Sequence, residues 1–152
     1  MLEIKENQEL DIDNIISYRG KIKQTEIENV GKEMESYIQN KGAKRKGNPI
    51  TATYAVEGDT IDIELLMPID VSVDSSDKFV LKNKIKIVNA VVAAFKGHPM
   101  RLQDACGRLN QYIAEHNLQP ITVGYNVTKK TDMLNLDNTE VDVYVGISPN
   151  IL

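Results

Sequence analysis

Two stretches of the sequence alternate apolar residues with residues that carry functional groups. In the first, Ile61, Ile63, Leu65, Met67 and Ile69 take every second position and leave Asp62, Glu64, Leu66 and Pro68 between them. In the second, Val141, Val143, Val145 and Ile147 leave Glu140, Asp142, Tyr144 and Gly146. Side chains on a strand switch faces at each residue, so each stretch buries one row and presents the other. Each presented row holds an acid with a larger side chain two positions on, Glu64 before Leu66 and Asp142 before Tyr144. Acids near tyrosines suit a cation or a flat polar molecule, because the carboxylate supplies counter-charge and the ring its negative face. Tyr54, Tyr125, Tyr144 and Tyr18 are the rings available for this. The competing reading leaves Glu64 and Asp142 solvated on an open sheet face, with Tyr54 and Tyr125 capping its edge and Tyr37 and Tyr112 in the core.

Other chemistries lack their residues. Cys106 has no histidine three or four positions away, and a reactive thiol needs a partner that lowers its pKa, so it reads as a structural cysteine. His98 and His116 lie on different elements without zinc-type spacing. No Gly-x-Ser-x-Gly, phosphate-loop or dinucleotide-type glycine cluster occurs. Neither a cofactor, a metal nor a catalytic residue is expected.

The elements that would position these side chains can be read along the chain. Asp13 to Arg19 reads as a strand stopped by Gly20, and the roughly ten residues before it are rich in charge. Ile27, Val30, Met34, Tyr37 and Ile38 recur at three- and four-residue steps, which predicts a helix ended by Gly42 or by Gly47-Asn48-Pro49. Strands follow over Ile50 to Val56 and Thr60 to Ile69, joined at Glu57-Gly58-Asp59. After the turn-rich stretch Asp70 to Lys78, Phe79 to Lys96 reads as two strands or one bent strand. Leu102, Ala105, Leu109, Tyr112 and Ile113 predict a second helix ending near Asn117. Strands are expected over Pro120 to Val127 and Glu140 to Ile147, with a polar loop between them.

The order β-α-β-β therefore occurs twice, and residues recur with it. Tyr18-Arg19-Gly20 matches Phe95-Lys96-Gly97, and Met34, Tyr37 and Ile38 match Leu109, Tyr112 and Ile113. A Pro-Ile-Thr-x-x-Tyr pattern appears at Pro49 to Tyr54 and again at Pro120 to Tyr125. Glu64 to Ile69 matches Asp142 to Ile147. The offsets are 77, 75, 71 and 78, which implies an internal duplication with small loop insertions and deletions.

Taken in this order, the blocks resemble the gyrase-inhibitor-like small-molecule-binding domain, which is also the effector-binding module of multidrug-responsive transcription regulators. The resemblance runs from about Asp11 to Pro149. It implies an α+β fold in which two β-α-β-β halves, about 11–70 and 79–149, form one domain over 1–152. The halves would be related by a pseudo-twofold, with an antiparallel sheet, two helices on one face and a ligand cleft on the other. It further implies that the cleft acid falls on Asp142, with Glu64 as its mate, and that both would line one groove. Three departures from the family pattern are visible: Asp142 in place of the usual Glu, Gly146 in place of the usual Pro, and no Trp anywhere. Some relatives of this fold are thought to hydrolyse small electrophiles. That would ask Glu64 or Asp142 to act as general base on a water within about 3 Å, beside a Tyr donor.

Composition agrees with a small ordered domain. The chain has 152 residues, 41% of them hydrophobic, and no low-complexity tract. Its single cysteine rules out an internal disulfide, and no apolar run approaches the roughly 20 residues a membrane helix needs. A cytoplasmic protein is the expectation. The net charge of −4 argues against direct nucleic-acid binding, and the one basic cluster, Lys41, Lys44, Arg45 and Lys46, reads as a solvated helix end. With only about ten residues before the first strand, the expected role is a stand-alone binder or sensor of an amphipathic or cationic small molecule. The alternative is a protein-interaction module of the gyrase-inhibitor type, with a protein partner at the groove or an edge strand.

Overall fold

The structure is a computed structural model and describes residues 2–149. Eight principal elements follow one another along the chain: β1 (Leu2–Lys23), α1 (Ile27–Asn40), β2 (Ile50–Glu57), β3 (Thr60–Pro68), β4 (Val80–Lys96), α2 (Leu102–Glu115), β5 (Tyr125–Lys130) and β6 (Glu140–Gly146). Single 3-10 turns precede both helices and β6. The class is α+β, with antiparallel pairing throughout the strand pairs described below. The chain divides into two compact units, one of Asp11–Lys86 and one of Ile87–Leu152 with Met1–Leu10.

In the first unit β3 is flanked by β1 and β2. Ile61, Ile63, Leu65 and Met67 of β3 point to one side, where Val30, Met34 and Ile38 of α1 meet them. Phe79 closes this core, its ring 5.2 Å from that of Tyr37. In the second unit β6 lies between β4 and β5, and Val141, Val143 and Val145 meet Ala105, Leu109 and Ile113 of α2. Both core rows are those the alternation required.

Both helices end by the same device. Gly42 takes φ +77°, its N–H reaches the Gln39 carbonyl, and the next N–H, of Ala43, reaches Ile38. Asn117 takes φ +55°, with its N–H on Ala114 and that of Leu118 on Ile113. These left-handed caps satisfy carbonyls the helix leaves open, and Gly and Asn are the residues that tolerate the conformation.

The first strand is much longer than its β-branched middle suggested. It begins at Leu2 rather than Asp13 and runs through Gly20 to Lys23. Leu2 and Ile4 pack on the second unit's core, and Glu6 accepts a hydrogen bond from Tyr112 Oη at 2.6 Å. The alternation is broken twice, at Asn7 (φ +58°) and Asn14 (φ +53°), which hides the strand from a period-two reading. Gly20 does not stop the strand: it pairs with Ile63, and the Tyr18 side chain lies across it, where an added Cβ would stand 2.6 Å from the Tyr18 hydroxyl oxygen. Val80–Lys96 is one continuous strand.

Strand registers give the duplication a simpler form than the sequence matches did. Ile15 pairs with Pro68 as Ala90 pairs with Gly146, and Ile50 pairs with Leu66 as Tyr125 pairs with Tyr144. Ile15 and Ala90, Ile50 and Tyr125, and Met34 and Leu109 are each 75 apart, while Leu66 and Tyr144 are 78 apart. One three-residue difference between β2–β3 and β5–β6 thus relates the halves. Two sequence matches were slipped. The equivalent of Pro120 is Arg45, since Arg45 bridges Ile69 as Pro120 bridges Ile147. The equivalent of Tyr18 is Ala93, because Tyr18 pairs with Leu65 and Ala93 with Val143.

Gly146 occupies the place of Pro68. Its N–H donates to Thr122 Oγ1 at 2.9 Å, a bond proline cannot make. An added Cβ would meet Thr122 Cγ2 at 2.8 Å and Ile87 Cγ2 at 3.3 Å. Gly146→Ala is therefore expected to lower stability by about 1–3 kcal/mol through overcrowding. A urea midpoint equal to that of the parent would contradict this.

Candidate functional site

The face of β3 turned away from α1 is assembled by register. Opposite residues of an antiparallel pair share a face, so Arg19 stands beside Glu64, Ser17 beside Leu66, and Ala52 on the far side of Glu64. Between Thr53 and Ala55 the β2–β3 register shifts, and Tyr54 is the extra residue of the resulting bulge. Bulges re-aim side chains. Here the bulge sends the Tyr54 hydroxyl to Glu64 Oε1 at 3.2 Å.

Glu64 is only 4% exposed, so it is not the solvated acid of an open sheet. Ser17 Oγ and Lys82 Nζ each donate to its Oε2 at 2.6 Å. Burial pushes the carboxyl pKa up, but the Lys82 ammonium, Ser17 and Tyr54 outweigh it and hold the pKa below the ordinary glutamate value. The group is a buried carboxylate kept ionised by three donors. A general base is most effective with a pKa near the working pH. Glu64 is displaced in the opposite direction, which fits a counter-charge better than a base.

Arg19 completes the cluster. Its Nε and Nη2 donate to Asp62 Oδ1 and Oδ2 at 3.0 and 3.1 Å, a two-pronged pairing that raises the guanidinium pKa and lowers that of Asp62. Its Cζ stands 3.4 Å from the centre of the Tyr54 ring. One face of the tyrosine offered for stacking is thus covered by a cation of the chain itself. Leu66, on the same side of β3, is buried to 1% exposure. Tyr18 is not part of the group: its parity matches Ile16, and it packs against the helix-side core with its ring 6.3 Å from Phe79.

In the second unit Tyr125 is directly opposite Tyr144, and Asp142 shares their face. The bulge recurs at the equivalent place in β5, between Thr128 and Lys130, and its extra residue is Lys129. Lys129 Nζ lies 3.4 Å from Asp142 Oδ2. Each unit therefore pairs its strand acid with the residue of the neighbouring bulge, a hydroxyl in one and an ammonium in the other. Burial, and then the charge of Asp142, push the Tyr144 hydroxyl pKa up, so it is a hydrogen-bond donor at neutral pH.

Ser17, Arg19, Lys82 and Lys129 were absent from the expected site. The alternation that selected Glu64 also runs through Ser17 and Arg19, and Lys82 belongs to the alternating trio Lys82, Lys84 and Lys86. The other two of these lysines reach Asp11 and Asp13. No group of three or more His, Cys, Asp or Glu able to hold a metal occurs among the described residues. No helix among them is long and apolar enough to cross a membrane.

No protein-family model matches the chain, and no curated protein matches it. Solved structures do. The crystal structure of the EcmrR C-terminal domain matches with a TM-score of 0.76 over 97% of this chain and 98% of that one, at 12% identity. EcmrR in its cryo-EM complex with DNA matches with a TM-score of 0.78 at 13% identity, where the chain covers 57% of EcmrR and 97% of itself is aligned. SAV2435 bound to tetraphenylphosphonium matches with a TM-score of 0.53 at 9% identity, over 98% of this chain and 94% of that one. The fold is the gyrase-inhibitor-like fold. At these identities the likeness is one of architecture. The gyrase-inhibitor-like fold thus accounts for the repeated β-α-β-β order, while the chemistry of this chain rests on its own residues.

Proposed function

We propose that the chain binds a small amphipathic cation, with the Glu64 carboxylate as counter-charge and Tyr54 and Leu66 beside it. Asp142, with Tyr125 and Tyr144, is the corresponding group of the second unit. The observation that carries this reading is a buried, ionised Glu64 held on a tyrosine-bearing face. Burying a charge is costly unless it is paired and hydrogen-bonded, and Ser17, Tyr54 and Lys82 offset that cost while keeping the negative charge on this face. The like-folded SAV2435 with tetraphenylphosphonium supports the ligand class, since that molecule joins one delocalised positive charge to a large apolar surface.

A thermal-shift titration with tetraphenylphosphonium tests the proposal, with tetraphenylborate as an anion of matching shape. A ligand that binds only the folded state raises apparent stability with concentration. The cation is expected to raise the melting temperature of the parent, and the borate is not. Glu64→Gln is expected to abolish most of the rise, and Asp142→Asn to reduce it. Equal shifts with both ions, or a full shift in both variants, would overturn the proposal.

A further inference from the structure

We infer that Lys82 is a tethered cation that occupies the Glu64 carboxylate, and that ligand binding there is an exchange in which the incoming cation displaces the Lys82 ammonium. The inference rests on the cation-binding reading above and adds a residue that sets the affinity and selectivity of the site.

Cations already match the acids of this cluster: Lys82 pairs with Glu64, while Arg19 and the charge of Lys21 act on Asp62. A ligand cation added without any departure would leave two cations competing for one buried carboxylate. Like charges at such distances repel strongly where water is scarce. One internal cation has to leave.

Of the two cations nearest Glu64, Lys82 is the less firmly held. Arg19 is held by two parallel bonds to Asp62 and by the ring of Tyr54. Lys82 makes one ion pair, at 2.6 Å, from a side chain that is 43% exposed while its partner carboxylate is 5% exposed. Its flexible stem lets the ammonium move into water, where it is strongly hydrated. Ser17 and Tyr54 stay on Glu64 as neutral donors and keep the carboxylate oriented for the new cation.

Exchange also has a selective consequence. A primary ammonium ligand gains from Glu64 about what the departing Lys82 loses, so it has little advantage. A bulky, weakly hydrated cation gives up less hydration on entry and adds apolar contact, so the exchange favours phosphonium and quaternary ammonium ions over primary amines.

The test compares the full chain with Lys82→Met, which keeps the length of the side chain and removes its charge, by calorimetric titration with tetraphenylphosphonium at pH 8. At that pH an ordinary carboxylate is fully ionised, and Ser17 and Tyr54 still donate to Glu64 in the variant. Lys82→Met is expected to bind at least tenfold more tightly than the parent. Lys82→Gln provides the same comparison should the methionine variant not fold. In the parent, the ¹³C resonance of reductively methylated Lys82 is expected to move towards that of a solvated lysine as ligand is added. Equal or weaker binding in the neutral variants, or a Lys82 resonance unchanged at saturation, overturns the exchange. If the parent binds, Glu64→Gln does not, and the neutral variants match the parent, only the exchange falls. If neither the parent nor the neutral variants bind, the cation-binding reading falls with it.

Discussion

Truncating Leu109 to alanine is expected to remove about 2–5 kcal/mol of stability, and Met34→Ala a similar amount. Both side chains are 1% exposed, each on the middle turns of the helix that covers its unit's core row. They are equivalent by the 75-residue offset, so the pair asks whether the two halves rest on the same contact. The cost has two parts, the lost transfer energy of the deleted atoms and the cavity left behind. Neighbouring branched side chains such as Val143 beside Leu109 are fixed on a strand and refill little of that space. Folded domains have only about 5–15 kcal/mol to lose, so the double variant is expected to be largely unfolded at room temperature. Urea denaturation with unchanged m-values would show each loss as a lower midpoint. A loss below about 1 kcal/mol at either position would mean that the helix is not the principal cover of that sheet.

The sequence disclosed what depends on local periodicity and obscured what depends on register. The core rows of β3 and β6 follow from alternation within seven or so residues, and both helices from a stripe repeated at three and four. The face that carries Glu64 and Asp142 was legible for the same reason. Residue identity proved a poorer guide to equivalence. The Pro-Ile-Thr-x-x-Tyr patterns match at an offset of 71, yet the bridges of Arg45 and Pro120 place the true offset at 75. An even slip along a strand leaves every side chain on its own face, so a four-residue error creates no conflict in the hydrophobic pattern. The consequence is chemical: the position equivalent to Tyr54 holds Lys129, not Tyr125. Tyr18 fell into the expected site as one of the rings available to stack, and it belongs to the repeated Tyr18-Arg19-Gly20 motif. In the structure that motif is a packing device, with the ring lying across the glycine on the helix side. Ser17 and Lys82 reach Glu64 across 47 and 18 residues, and no local rule connects them.

Glu64→Gln is expected to destabilise the chain by about 1–3 kcal/mol at neutral pH, the usual cost of losing hydrogen bonds to a buried charged group. Its amide has one carbonyl oxygen for the donors of Ser17, Tyr54 and Lys82, and no charge for the last of these. Because Lys82 can turn towards water, the loss stays below the 3–5 kcal/mol or so of a pair that strands a buried ion. Acid distinguishes the charge from the shape. The folded-state pKa of Glu64 is depressed, so its contribution is fully present above the unfolded value of about 4.3 and is lost as pH falls through the folded value. The stability gap between parent and Glu64→Gln should therefore hold steady from pH 7 to about pH 5 and close below about pH 4. Asp62 and Asp132, whose pKa values are also depressed, weaken both proteins alike in acid and cancel in the difference. Denaturant titrations at several pH values measure the gap directly. A gap that persists undiminished to pH 3 would assign the loss to amide geometry rather than to charge, and would remove the electrostatic basis on which Glu64 is read as the counter-ion of a bound cation.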